Sequence, residues 1–242
     1  MSLLETVNLT HRFPDGTIGI REVNLSIDRG EFILLAGKNG SGKTVLMKHL
    51  NGLLKPTSGK VLFKGRPLSE NLFLARQKVG LVFQEPDNQF VGQTVEEDIA
   101  FGPENLGLTR EEIEIRVARP LEITGLSRLA KRNPHLLSGG EKRKLAIAGV
   151  LAMEPDVVIL DEPFASLDYP GVKQISEQIL KLHESGHTVL VLTHDIEKML
   201  AHATRLIIME GGRIMRDGKP FDFIDELEQF GIRKPEAYTW MS

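Results

Sequence analysis

The sequence predicts an α/β fold with a mostly parallel core sheet. Three apolar runs, rich in leucine and β-branched residues, occur at 33–36, 157–160 and 189–192. None of them alternates with polar residues, which is typical of strands covered by helices on both faces. Residues 44–50 and 171–183 show helical spacing of apolar side chains after the first run and between the other two. Strands that alternate with helices in this way indicate a parallel sheet.

Two further parts complete the predicted fold. Residues 4–9 and 20–27 alternate loosely around a turn at 14–16, which predicts an N-terminal antiparallel β subdomain, and 61–63 could add a strand to it. Residues 94–150 carry few strand signals and predict a helical subdomain, inserted at about 90–150. Pro120 should break a helix within it. The acidic and basic stretches of this insert fit either solvated helix faces or a docking surface.

Near the C-terminus, Gly211-Gly212 predicts a hairpin turn. Apolar residues then recur every third position, which fits either core packing or a contact in a dimer; they are Phe221, Ile224, Leu227 and Phe230. We expect one domain over residues 1–225 and a C-terminal extension over 226–242.

Composition limits the classes of function. The chain has 242 residues, 41% hydrophobic and 26% charged, with a formal net charge of -3, as expected for a globular protein rather than a disordered or nucleic-acid-coating one. It contains no cysteine, which excludes disulfides, cysteine-ligated zinc, iron–sulfur centres and thiol catalysis. Apolar runs such as 32–36 are far shorter than the ~20 residues that span a bilayer. The N-terminus lacks a secretory signal, so we expect a cytoplasmic protein.

A phosphate-binding loop follows the first predicted strand. Residues 37–44 match the pattern G-x-x-x-x-G-K-[ST] between a strand and a helix. Its glycines let successive backbone N–H groups point at phosphate oxygens, and the following helix adds its positive N-terminal end. Lysine would reach the β- and γ-phosphates of ATP, and threonine would bind Mg²⁺. The predicted ATP-binding residues are Gly37, Lys38, Asn39, Gly40, Ser41, Gly42, Lys43 and Thr44.

A pair of acids ends the second predicted strand. Asp161 at the strand tip could hold Mg²⁺ together with Thr44, and Glu162 could orient water against the γ-phosphate as general base. The same pair followed by Pro163 could instead cap a helix. With the phosphate loop present, the metal and base roles are favoured.

A third motif gives the sequence a specific resemblance. Leu137-Ser138-Gly139-Gly140-Glu141 resembles the signature of ABC-type ATPases, in which the last residue is normally glutamine. The resemblance covers about residues 3–225 and implies a P-loop NTPase fold. It also implies a head-to-tail dimer, in which Ser138, Gly139 and Gly140 contact the ATP held by the partner. Either a homodimer or a heterodimer with a related ATPase is possible.

The same resemblance assigns further site residues. Gln84 matches the glutamine that senses Mg²⁺ and the attacking water, and His194 matches the histidine that contacts the γ-phosphate. With Glu162 and Lys43 they form the implied catalytic set. Phe13 matches the aromatic residue that stacks on adenine, although tyrosine is more usual there and a core role is the alternative. Departures around the implied dimer-facing loop at 166–168 are Phe164, Ser166 and Tyr169, none of which removes a catalytic group.

Residues 84–89, 94–108 and 142–155 narrow the resemblance to the ATPases of energy-coupling-factor transporters. These import vitamins or transition-metal ions such as cobalt and nickel. The resemblance implies a subunit peripheral on the inner face of the cell membrane, with a transmembrane coupling subunit and a substrate-capture subunit as partners and no nucleic acid. Glu85 and Asp87 could receive basic residues of the coupling subunit, or simply form a turn.

Other functions stay open at this point. The alternatives are the ATPase of another ABC importer, a non-transport ABC ATPase in DNA repair or translation, and a small-molecule P-loop kinase. A chain of 242 residues leaves little room for the second domain or coiled coil usual in non-transport members. A kinase would have no use for residues 137–141.

Overall fold

Two sheets carry the fold in the computed structural model, which describes residues 2–235. The strands are β1 (Ser2–Arg12), β2 (Ile18–Asp28), β3 (Phe32–Ala36), β4 (Ser58–Phe63), β5 (Arg66–Pro67), β6 (Val79–Val82), β7 (Val157–Asp161), β8 (Thr188–Thr193), β9 (Arg205–Glu210) and β10 (Arg213–Gly218). The α-helices are α1 (Lys43–Leu50), α2 (Leu72–Lys78), α3 (Val95–Asn105), α4 (Arg110–Thr124), α5 (Gly139–Ala152) and α6 (Tyr169–Glu184).

The first sheet is antiparallel, with the strand order β2-β1-β4-β5. In it, Leu4 of β1 lies opposite Ile27 of β2 on one side and Phe63 of β4 on the other. One apolar cluster joins this sheet to α1 and to one face of the second sheet. Helix α1 is therefore held between the two sheets, and the loop that precedes it lies at their junction.

The second sheet has the order β10-β9-β3-β8-β7-β6 and is parallel except for its edge strand β10. Every residue of β3, β6, β7 and β8 is buried, as the unbroken apolar runs predict. A second cluster on the other face packs α5, α6 and residues near the C-terminus against the sheet. Parallel strands end at one edge, so the loops after β3, β6, β7 and β8 converge there.

Helices α3, α4 and α5 lie between β6 and β7 in the chain and share an apolar cluster of their own. Each begins with a capping box, in which a hydroxyl and a glutamate three residues later satisfy each other's backbone N–H groups. These boxes explain why helices start at Val95, Arg110 and Gly139. The predicted α/β architecture, with an antiparallel N-terminal sheet and a mostly parallel sheet with helices, is confirmed.

The predicted break at Pro120 is wrong, because α4 continues through it to Thr124. Proline removes one backbone donor, so α4 lacks the hydrogen bond that residue 120 would give to the carbonyl four residues earlier. Pro120 is buried, and its carbonyl accepts a 2.7 Å hydrogen bond from the Thr124 hydroxyl. Burial of the proline ring favours the continued helix, which ends at Thr124 and is followed by Gly125 with a φ of 70°.

The predicted turn at Gly211-Gly212 is confirmed as the link between β9 and β10. Of the apolar residues that follow at intervals of three, Ile224, Leu227 and Phe230 belong to a 3₁₀ helix at Ile224–Phe230, whose period is three residues, and Phe221 lies in a separate 3₁₀ turn at Pro220–Asp222. Leu227 and Phe230 are buried in the core, whereas Phe221 is 54% exposed.

Residues 236–242 of the predicted extension lie outside the described residues. Within residues 2–235, no helix is both long and apolar enough to cross a membrane.

Candidate active site

The phosphate loop joins β3 to α1 at the convergent edge of the second sheet. Gly42 precedes the helix with φ 102°, and a Cβ atom there would lie 2.7 Å from the carbonyl oxygen of Gly19. Only glycine fits this position. No side chain caps α1, so its first backbone N–H groups are free to bind an anion.

The Lys43 side chain binds the backbone of the phosphate loop to which it belongs. Its side chain is buried, and its ammonium group donates to the carbonyl of Gly37 at 2.6 Å and to that of Lys38 at 3.1 Å. Burial lowers the pKa of Lys43, while the nearby carboxyl groups of Glu162 and Asp161 act in the opposite direction. The cation is thus fixed inside the loop and close to both acids.

The loop also contains a polar atom that the fold leaves unsatisfied. The Ser41 hydroxyl is buried and has no hydrogen-bond partner among residues 2–235, although its backbone N–H and carbonyl are both paired. A buried unpaired hydroxyl is costly. Together with the open helix end and the buried lysine, it fits a loop built for a phosphate group.

Five oxygen-bearing side chains line one cleft beside the loop: Thr44, Gln84 and Asp161, which are the predicted metal ligands, and also Glu85 and Gln89. The Thr44 hydroxyl donates to Asp161 at 3.0 Å. Asp161 is buried, and this burial raises the pKa of its carboxyl group. A hydroxyl, an amide and one carboxylate are the donors that Mg²⁺ takes when substrate phosphates and water supply the rest. The donor set therefore fits Mg²⁺, and the described residues hold no cluster of three or more acidic or imidazole ligands that would suggest another metal.

Glu162 follows β7 in a left-handed backbone conformation, with φ 46°. One carboxylate oxygen accepts the backbone N–H of His194 at 3.0 Å and lies 2.8 Å from its Nδ1 atom. The other accepts the Thr193 hydroxyl at 3.2 Å. The next helix, α6, is capped by Asp168, so Asp161 and Glu162 do not form the helix cap considered from the sequence. The sequence alone does not identify Thr193 as a site residue, because its only sign of a role is its position before His194.

The signature residues lie elsewhere. Ser138, Gly139 and Gly140 begin α5, and Glu141 accepts the backbone N–H of Ser138 at 2.7 Å and its hydroxyl at 2.8 Å. Gly139 lines a second cleft together with residues 84–87 and 165–167. The structure therefore brings together residues of the phosphate loop, Gln84, Asp161, Glu162 and His194, but it does not place the signature over the phosphate loop of the same chain.

Phe13 lies in the turn between β1 and β2 and is half-buried. Its ring packs edge-on against His11 with a centroid distance of 4.7 Å. A Cβ atom at Gly19 would lie 2.8 Å from this ring and 3.2 Å from Val45 in the first turn of α1. The ring is thus close to the start of the phosphate-loop helix, and adenine stacking stays a prediction.

Comparisons with known proteins agree with this geometry. The family model described as ABC transporter matches residues 20–165. The energy-coupling factor transporter ATP-binding protein EcfA of Methanocaldococcus jannaschii is 43% identical over 98% of this chain and 87% of its own length. The EcfA protein of Methanosarcina acetivorans is 45% identical over 93% of this chain and 82% of its own length.

Solved structures show the same likeness. The cbiO1 protein of Clostridium perfringens, part of the ABC transporter complex cbiONQ, has a TM-score of 0.85 and 36% identity, covering 99% of this chain and 98% of that one. A dimeric ATP-binding cassette in a post-hydrolysis state, bound to ADP and Pi, has a TM-score of 0.79 and 31% identity, covering 90% of this chain and 98% of that one.

Proposed function

The chain belongs to the ABC transporter family and is an ATPase of that family, and from this premise we propose that it energises import by an energy-coupling-factor transporter. The observation that carries the proposal is the 43% identity to an energy-coupling factor ATP-binding protein over 98% of the chain. The proposed cargo is a vitamin or a transition-metal ion of the cobalt or nickel type. Its identity depends on a separate capture subunit.

The proposed chemistry is transfer of the terminal phosphoryl group of ATP to water. The loop amides and Lys43 would bind the phosphates and stabilise the charge that develops on them. Thr44, Asp161 and Gln84 would hold Mg²⁺, which when bound neutralises charge on the phosphate oxygens. Glu162 would accept a proton from the attacking water while the bond between the γ-phosphorus and the bridging oxygen of ADP breaks. His194 would donate to the γ-phosphate.

A second cassette is proposed to complete each site. Ser138 caps a helix that begins with Gly139 and Gly140 and whose N-terminal end favours anions, but Gly139 lines a different cleft from Thr44 and Asp161. A head-to-tail dimer would place them on the ATP of the partner. The likeness to a dimeric cassette supports this arrangement, with either a second copy or a related ATPase as partner.

The proposed membrane contact lies at residues 84–89. Asp87 is half-exposed and forms a 2.6 Å ion pair with Lys142 of α5. A basic residue of a coupling subunit would therefore compete with Lys142 for Asp87, so that docking would act on α5 as well as on Gln84. Helix α2 adds exposed apolar surface at Phe73, which is 63% exposed.

The division into residues 1–225 and an extension at 226–242 stays a prediction.

Phosphate release tests the proposed function. The chain should hydrolyse ATP, and reconstitution in liposomes with the membrane proteins encoded beside it should stimulate hydrolysis and drive uptake. The Glu162→Gln variant should lose both. Stimulation by DNA or ribosomes instead of membrane proteins would contradict the transport role, and a phosphorylated small-molecule product would indicate a kinase.

Charge reversal tests the membrane contact. Glu85→Lys combined with Asp87→Lys should uncouple uptake from hydrolysis. The matched control is Glu111→Lys with Glu114→Lys, which changes charge equally on the exposed face of α4. Uptake that survives reversal at 85 and 87 would place the contact elsewhere.

A further inference from the structure

Arg143 is a buried cation in the second turn of α5. Only 4% of its surface is exposed. Its guanidinium donates to the carbonyl of Glu162 at 3.3 Å and to that of Ala165 at 3.1 Å, while its Nε atom has no partner among the described residues. The side chain therefore connects α5 to the two ends of the four-residue turn at 162–165.

No acidic side chain pairs with Arg143 within residues 2–235: every recorded ion pair there involves other groups, and the pKa of Arg143 is lowered by burial alone. Burying a charge without a counter-ion is costly, and an apolar side chain of similar length would avoid the cost. Packing alone therefore does not account for arginine here. What the charge supplies is two charge-assisted hydrogen bonds to backbone carbonyls.

These two carbonyls belong to a strained segment. Glu162 and Ser166 both have left-handed φ angles, 46° and 59°, which are unfavourable for residues other than glycine. The turn's own support is a 3.1 Å hydrogen bond from the Ala165 N–H to the Glu162 carbonyl. Strained conformations persist where surrounding groups over-determine them. Arg143 binds the turn at both ends and so restrains the backbone from which the Glu162 carboxylate extends.

We propose that Arg143 is a positioning residue for hydrolysis, which fixes the turn at 162–165 and thereby aims the carboxylate of Glu162 at the attacking water. This inference rests on the proposed role of Glu162. Loss of the restraint misplaces the base without touching the phosphate loop, so it lowers kcat and leaves ATP binding intact. A misplacement of about 1 Å can reduce a rate by roughly a hundredfold.

Three variants test this role in the full chain. Arg143→Met keeps the aliphatic length and removes both donors; Arg143→Lys keeps the charge but reaches a single carbonyl. Lys144→Met is the control on the same helix, since Lys144 donates to Gln174 and not to the turn. We expect kcat to fall about tenfold or more for Arg143→Met and less for Arg143→Lys, with KM for ATP within about twofold and the control unchanged.

A double variant separates this inference from the proposed function. If Glu162→Gln alone hydrolyses ATP normally, the base assignment fails. If Glu162→Gln keeps only a residual rate, Arg143→Met added to it should lower that rate no further, because both act on one step. A wild-type kcat in Arg143→Met, a rise in KM alone, or full additivity in the double variant would overturn the inference. Should Arg143→Met not fold, a wild-type kcat in Arg143→Lys would overturn it equally.

Discussion

The Nδ1 atom of His194 lies 2.8 Å from the Oε1 atom of Glu162, and the backbone N–H of His194 donates to the same oxygen at 3.0 Å. With Glu162 ionised, Nδ1 must carry the hydrogen of this bond, so the proposed donation to the γ-phosphate would come from Nε2 and needs a hydrogen on both ring nitrogens. The carboxylate therefore orients the histidine as well as serving as the proposed base. Side-chain exposure of 12% for Glu162 and 61% for His194 places the acid inside and the imidazole at the mouth of the site.

Replacing Glu162 by glutamine should abolish most hydrolysis while ATP still binds. Loss of a general base costs roughly 10²–10⁴-fold in rate. Because the shape of the side chain is kept, the variant should accumulate as an ATP-bound dimer, seen by size-exclusion chromatography with MgATP. Glu177→Gln, on the exposed face of α6, is the control and should hydrolyse ATP normally. A Glu162→Gln variant that stays monomeric at saturating MgATP would require a different partner or a different assembly.

Thr193 should matter for rate although sequence reasoning did not select it. Thr193→Val keeps the side-chain shape and removes the hydroxyl, which lies within donating distance of Glu162 at 3.2 Å and of the Asp195 carbonyl at 3.1 Å. The hydroxyl also accepts the Asp195 N–H at 3.0 Å. We expect kcat to fall about three- to tenfold with ATP affinity unchanged, since one orienting bond is worth about 1 kcal/mol. Thr188→Val at the other end of β8 is the matched control, because its hydroxyl accepts from the Gly30 N–H at the opposite sheet edge and, among residues 2–235, contacts no group of the site. Equal kcat losses in both variants would indicate a general packing defect.

The contrast between Thr193 and Asp161 shows which site residues can be predicted from the sequence. Strand runs and local motifs located the residues that follow β3, β6, β7 and β8, and parallel strands bring such residues together by geometry. The bonds of Thr193 and Arg143 to Glu162 depend instead on long-range register and side-chain direction, which no local pattern encodes. Pro120 departs from its sequence prediction for a similar reason. Its burial against other elements outweighs its local preference.

Glu141 should stabilise α5 in a pH-dependent way. The Ser138 N–H that it accepts lowers the pKa of Glu141 below its ordinary 4.5. A lowered folded-state pKa means that the ionised form stabilises the fold above the unfolded-state pKa, and that this contribution is lost as pH falls through the folded-state value. Glu141→Gln should therefore cost about 0.3–1 kcal/mol at neutral pH. In urea unfolding, the difference between the two proteins should shrink as the pH is lowered through the folded-state pKa and should vanish below it. A gap that is constant with pH would assign the effect to side-chain shape.

Gly42 should tolerate no side chain, for reasons of space as well as backbone angle. Gly42→Ala would force its Cβ to 2.7 Å from the carbonyl of Gly19, so the loop or β2 must shift. Gly186→Ala separates the two effects, because Gly186 has a similar φ of 94° but nothing within 4 Å of the added atom. We expect Gly186→Ala to lower the free energy of unfolding by about 1 kcal/mol through strain alone, with normal ATP binding. Gly42→Ala should lose more stability and most of its ATP affinity, measured by urea unfolding and by titration with a fluorescent ATP analogue. Equal losses in the free energy of unfolding and equal affinities for ATP in the two variants would mean that the close approach of the loop to β2 has no part in nucleotide binding.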